Sequence, residues 1–143
     1  MSTKFSGLGL AVDTPTRMVI LHPVTRAPIT IVGTDPPENA YIDLLSANSS
    51  TGRKHDRVVT DRLIKMRGRR PSADEIDSDT TDKLAVLTKG WRLASLDGDE
   101  LTIDCTYQNA RELYNLPEAS WLREQIAEFV VDAGNLTKAA SSA

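Results

Sequence analysis

Trp121, Leu122, Gln125, Ile126, Phe129, Val130 and Ala133 recur at spacings of three and four residues. That period places them on one stripe of a helix, and a helix with one apolar stripe must bury it against something else. The rest of the chain therefore has to supply a cover for residues 120–133, with Gly134 and Asn135 as the stop signal.

Two short aliphatic runs near the other end are candidates for that cover. Residues 17–21 and 28–32 are rich in Val and Ile and are joined by His-Pro-Val-Thr-Arg-Ala. This pattern predicts a β-hairpin with a longer loop. A two-stranded hairpin is only marginally stable in water, so it must pack on helices or join a larger sheet. The expected fold is α+β: an N-terminal β-hairpin, then a mainly helical domain closed by a C-terminal amphipathic helix.

Capping signals divide the middle. Asp35-Pro36-Pro37-Glu38 reads as a helix start, with Asp35 as cap and Glu38 reaching back. Ala40, Tyr41, Leu44 and Leu45 would form its apolar face. That face fades over 46–57 and returns at Val58, Val59, Leu63 and Met66. Residues 35–68 thus read either as one helix with an exposed middle or as two helices meeting near Gly52. Ser72-Ala73-Asp74-Glu75 is a second capping box, opening a helix expected to run to about Ala94 along Ile76, Leu84, Leu87 and Trp91. Asp97-Gly98-Asp99 reads as a turn. Leu101, Ile103 and Cys105 alternate with polar residues as in a half-buried strand. Thr106 is placed to cap a short helix through Tyr114, and Asn115 with Glu118 forms a third box around Pro117.

At 143 residues the chain fits one domain, expected over 13–136, with a flexible arm at 1–12 and a flexible tail at 137–143. Aromatic residues are only 5% of the sequence, so the core must be built mainly from Leu, Ile, Val and Ala. The net charge of −3 gives no general attraction to nucleic acid or an anionic membrane. No apolar run approaches the ~20 residues needed to span a bilayer, and 1–10 lack the apolar stretch of a signal peptide. A single cysteine cannot form an internal disulfide. Together these features predict a protein of a reducing cytoplasm.

Residues that carry chemistry are sparse. His55 precedes Asp56, but adjacent side chains on a helix diverge, so no dyad is expected and His55 reads as a solvated surface residue. His22 lies in the hairpin loop. Asp97, Asp99 and Glu100 lack the other positions of a calcium loop. Cys105 reads as a small core residue. Gly7-Leu8-Gly9 is too short for a phosphate loop. The expectation is no catalytic centre, no metal and no cofactor.

Charge is unevenly distributed. Residues 52–70 hold eight cations (Arg53, Lys54, Arg57, Arg62, Lys65, Arg67, Arg69 and Arg70) against two acids, a net of +6. Residues 74–104 carry nine acids against three cations, a net of −6. The two blocks adjoin, so they can neutralise each other across an antiparallel helix pair. The alternative is a basic surface for an acidic protein partner, with Arg53, Lys54, Arg57, Arg67, Arg69 and Arg70 as its candidate residues. Nucleic acid is the weaker partner, because no aromatic side chain interleaves the basic run.

The order of motifs resembles a known family. His22, Pro23, Thr25 and Pro28 form a His-Pro-x-Thr-x-x-Pro loop; Gly90 and Trp91 precede the Asp-Gly turn. Cys105, Thr106, Asn109, Ala110, Leu113 and Tyr114 then give a Cys-Thr-x-x-Asn-Ala-x-x-Leu-Tyr motif. Trp-Leu-Arg-Glu-Gln-Ile at 121–126 follows, with Phe129, Asp132 and Asn135 beyond it. In this order the chain resembles, over 17–135, the tail assembly chaperones of long-tailed bacteriophages and related prophages. The resemblance implies a non-enzymatic protein of the host cytoplasm. It would hold the tape-measure protein soluble and help recruit tail-tube subunits before they polymerise. It transfers no binding residues.

Two other functions fit the residues. One is a structural virion protein, a tail or connector component in which the arm and hairpin add to a neighbour's sheet. The other is a nucleic-acid-binding accessory protein using 52–70. Self-association is compatible with each.

Overall fold

A computed structural model of the chain describes residues 13–132. The expected arm at 1–12, the tail at 137–143 and the Gly134-Asn135 stop lie outside the described residues.

The fold is α+β. A four-stranded antiparallel sheet has the order β1 (Thr16–Val19), β4 (Tyr41–Leu44), β5 (Thr88–Ala94), β6 (Glu100–Leu101), and a two-stranded ribbon pairs β2 (Thr30–Ile31) with β3 (Glu38–Asn39). The helices are α1 (Ser50–Lys65), α2 (Ala73–Leu87), α3 (Tyr107–Asn115) and α4 (Ser120–Val131), with a 3-10 turn at Pro117–Ala119.

Sheet register explains which residues enter the core. Met18 faces Ile42, and Ile42 faces Trp91, so one face carries Met18, Ile42, Leu44, Trp91 and Leu93. The helices cover that face with Leu84, Leu87, Tyr114, Leu122, Ile126 and Val130. The opposite face is polar: Arg17 pairs with Asp43 at 2.9 Å and lies over the Tyr41 ring, while Arg92 pairs with Glu100 at 2.7 Å and with Glu38. One dry face and one wet face is the expected state of an antiparallel sheet covered on one side. The stripe of α4 is confirmed, with Leu122, Ile126 and Val130 buried and Trp121 and Phe129 half-buried against the core. Among the described residues no helix is long and apolar enough to cross a membrane.

The structure corrects four expectations. The anticipated hairpin is present but short, with a bridge between Leu21 and Pro28 and bonds from His22 N–H to Ala27 C=O at 2.8 Å and from Ile29 N–H to Ile20 C=O at 3.1 Å, because the flanking residues find longer partners in β4 and β3. No helix starts at Asp35. Asp35 and Pro36 each precede a proline and are biased to extended backbone. The residues that follow alternate, with Ala40, Ile42 and Leu44 buried at period two, and form β3 and β4. The question of one helix or two over 35–68 is thereby replaced: strands run to Leu44, and one helix begins at Ser50.

Third, α2 opens at Ser72 as expected, the Ser72 hydroxyl accepting from Glu75 N–H at 3.1 Å, but ends at Leu87 and not near Ala94. Trp91 and Leu93 are strand residues, drawn out of the helix by pairing with β4. Fourth, the alternation at 101–105 does not bury a face. β6 is two residues long, and Leu101 and Ile103 are exposed. The Thr106 cap on α3 is present, accepting from Asn109 N–H at 3.1 Å, whereas the box expected at Asn115 and Glu118 gives way to the uncapped 3-10 turn.

Two glycines are required by close approach. A Cβ on Gly52, in the first turn of α1, would overlap the Ala47 carbonyl. Gly98 has φ of +93° in the β5–β6 turn, and a Cβ there would meet the Thr30 carbonyl; the turn is joined to the same segment by the bond from Val32 N–H to Gly98 C=O at 2.8 Å.

Candidate protein-interaction surface

α1 has an unusual environment for a helix of 16 residues: its only buried residue is Gly52. Its N-terminus is fixed by the Ser49 hydroxyl, which accepts from Gly52 N–H at 3.2 Å, and by Asp13, which accepts from Ser50 N–H at 2.6 Å and from the Ser50 hydroxyl at 3.0 Å. These bonds hold the Asp13 carboxyl below its ordinary range, the backbone bond contributing most. Along its length α1 rests on α2 through Arg62–Asp79 and through Lys83–Asp56 at 2.9 Å.

The expected neutralisation between the basic and acidic blocks is therefore partial. Of the eight cations at 52–70, only Arg62 makes an ion pair among the described residues. The acids of α2 are taken instead by arginines from the C-terminal helices: Asp82 by Arg111, and Asp77 by Arg123 at 2.7 Å. Arg53, Lys54 and Arg57 consequently remain on the exposed side of α1, and Arg67, Arg69 and Arg70 in the exposed α1–α2 turn, none with an ion pair among the described residues. Val58 and Ile64 share the exposed surface of α1 at 61% and 69% accessibility.

A second surface was not legible in the sequence. β5 and β6 on one side, and α3 with the following 3-10 turn on the other, enclose two adjoining hollows of about 300 and 210 Å³ that share Leu93, Leu113 and Leu116. Trp91 lines one and Trp121 the other. Leu96, Leu101, Ile103 and Leu116 are exposed around them, between 43% and 48% accessible. The wall is held by polar bonds. The Trp91 indole donates to Ile103 C=O at 2.7 Å, and the Asn109 amide to Asp104 C=O at 2.9 Å. Glu112 lines the first hollow and Glu118 the second; neither carboxylate has an ion pair among the described residues. The result is an apolar groove with an acidic rim. Contiguous exposed apolar surface rimmed by polar groups is one form that interaction sites take.

The residues considered for catalysis are not assembled into a site. His55 is half-buried between α1 and α2, not fully solvated, and its Nδ1 is buried without a hydrogen-bond partner among the described residues. Its neighbour Asp56 is committed to Lys83. Burial, with a smaller contribution from Asp43, pushes the Cys105 thiol up, away from the reactive thiolate. Asp99 closes the β5–β6 turn, its N–H donating to the Ser95 hydroxyl at 3.1 Å. Among the described residues no group of three or more His, Cys, Asp or Glu side chains is placed to hold a metal ion.

Comparison with protein-family models, with curated proteins and with solved structures returned no match for this chain.

Proposed function

We propose that this chain is a non-enzymatic tail assembly chaperone that binds a helical client, the tape-measure protein, or tail-tube subunits, during tail morphogenesis. The observation that carries the binding part of this reading is the groove between β5–β6 and α3. It gathers two half-buried tryptophans and four exposed aliphatic side chains on one surface. A groove of this kind suits an amphipathic helix, which offers apolar side chains at helical spacing. A long helical client exposes such stripes until other subunits cover it. The identity of the client rests on the resemblance of the motifs at 22–28, 90–91, 105–114 and 121–126 to the chaperone family.

The test is co-expression with the tape-measure protein of the same phage or prophage, followed by affinity capture. The wild-type chain should retain the client, and Ile103→Glu with Leu116→Glu, both at exposed positions, should release it while remaining folded. Mass spectrometry of purified particles separates the structural alternative. A chaperone is absent from mature particles, whereas a tail or connector component is present in repeated copies. Abundant protein in particles, with no client captured, would exclude the chaperone reading.

A further inference from the structure

The outer edge of β1 is open over a short, bounded stretch. Ile20 N–H donates to Ala40 C=O at 3.0 Å, on the side of β1 that faces β4. Backbone groups alternate in direction along a strand, so Met18 also faces β4, while Arg17 and Val19 turn their N–H and C=O groups to the other side. β1 is the end strand of the sheet, and among the described residues neither backbone has a bond on that outer side. The opening is closed at both ends. Leu21, the next outward residue, has its N–H and C=O bound to the Gln125 side chain. Pro15, the outward residue before Arg17, has no N–H to offer. Beside the opening, a hollow of about 300 Å³ lies between Val19 of β1 and Gln125, Glu128 and Phe129 of α4. It leaves room along the edge.

We propose that two copies of the chain pair edge to edge through β1, antiparallel, about a two-fold axis at Met18. This register sets Arg17 of each copy opposite Val19 of the other, and each such pair exchanges both of its backbone bonds. Every open N–H on the two edges then finds an open C=O. The same register sets Pro15 of each copy opposite Leu21 of the other, so a residue that cannot donate meets one already bound, and pairing ends there. A shift of two residues in one direction would set Val19 against Pro15; in the other it would set Arg17 against Leu21. Either shift leaves polar groups unpaired, which is why the edge fits a second copy of itself in one register. On the polar face Arg17 keeps its bond to Asp43 and stands beside Val19 of the other copy, so no charge loses its partner. The contact is isologous and closes at two copies. It joins two four-stranded sheets into one of eight strands, four from each copy. The groove beside β5 and β6 lies at the opposite end of each sheet and stays open, so the pairing neither needs a client nor competes with one.

The experiment is sedimentation velocity of the purified full chain over a wide concentration range, with backbone amide exchange followed by NMR at the two extremes. The wild-type chain should pass from the mass of one chain to twice that mass and no further. The Arg17 and Val19 amides should exchange about tenfold more slowly, or slower still, at high concentration than at low, while Met18 and Ile20 stay protected at both. Val19→Pro removes an outward N–H and keeps the bonds to β4, so it should remain a monomer. Should it fail to fold by circular dichroism, charge at the same position gives a second test. Val19 is 37% exposed, so a polar side chain there leaves the core intact. Val19→Lys sets a cation opposite Arg17 of the other copy and should abolish the dimer, whereas Val19→Glu should keep it. A chain that stays monomeric at every concentration overturns the proposal. A dimer whose Arg17 and Val19 amides remain open overturns it too, because the contact then lies elsewhere. Protection of those amides in the monomer does the same, since residues of the same chain then cover the edge. So does identical behaviour of Val19→Lys and Val19→Glu. Client capture by a monomer leaves the chaperone reading standing and removes this inference alone.

Discussion

The Gln125 side chain holds the backbone of Leu21 from both sides: its Oε1 accepts from Leu21 N–H at 3.1 Å and its Nε2 donates to Leu21 C=O at 2.8 Å. A side chain of α4 thereby takes the place of a strand just past the end of β1. An edge residue that would otherwise leave two polar groups partly desolvated is satisfied by a helix 104 positions away.

Gln125→Ala should therefore cost more than a half-exposed polar residue on a helix usually does. Removing both partners leaves the Leu21 N–H and C=O unpaired in a part-buried position, a loss of about 1–2 kcal/mol. Urea denaturation of the two proteins measures it. A change within error of zero would mean that water replaces both bonds.

Gly52→Ala should destabilise the protein, although alanine is the better helix former by about 1 kcal/mol. The new methyl group meets the Ala47 carbonyl, backbone that cannot rotate away, and overpacking of this kind costs about 1–3 kcal/mol. The midpoint of thermal unfolding gives the sign directly.

Ile126→Ala and Trp121→Ala should separate folding from binding. Ile126 is fully buried, and its truncation should cost about 2–5 kcal/mol. Trp121 is half-buried and lines the groove, so its truncation should cost less stability than Ile126→Ala and more client capture. Paired melts and pull-downs of the two variants test the order.

Asp13 should make α1 sensitive to acid. Its carboxyl is held below the usual range, chiefly by Ser50 N–H, then by the Ser50 hydroxyl, with burial opposing. A carboxyl whose folded pKa is depressed contributes stability that is present above its unfolded pKa, about 4, and is lost as pH falls through the folded value. Asp13→Asn should lower stability at neutral pH and flatten its decline below about pH 4. Amide exchange at the first turn of α1, followed against pH, locates the effect.

Local signals in the sequence carried well where one element decides its own shape. Ser72 and Thr106 cap the helices they were expected to cap, and the stripe of α4 lies where its spacing puts it. Local pattern misleads where a distant partner decides. Ala40, Tyr41, Leu44 and Leu45 fit a helical face, but Ile42 is fully buried between Met18 and Trp91, and only the sheet makes that visible. Thr88–Ala94 carries no strong stop for α2; β4 takes it. The basic residues of the candidate surface were legible as charge, since Arg53, Lys54, Arg57, Arg67, Arg69 and Arg70 all remain exposed. The groove was not, because its walls come from β5, β6, α3 and the 3-10 turn, and only the fold gathers Trp91, Leu101, Leu116 and Trp121.

The near absence of burial along α1 also bears on how such a chain changes over generations. Interior positions such as Ile42 and Tyr114 are constrained by their neighbours, and substitution there is tolerated only within narrow limits of size. The outward side of α1 carries less of that restriction, since Arg53, Arg57 and Ile64 are exposed among the described residues. Selection for folding is blind to that side. If the cations and aliphatic residues there recur in descendants of this sequence, the cause lies outside the described fold, in whatever rests on the helix.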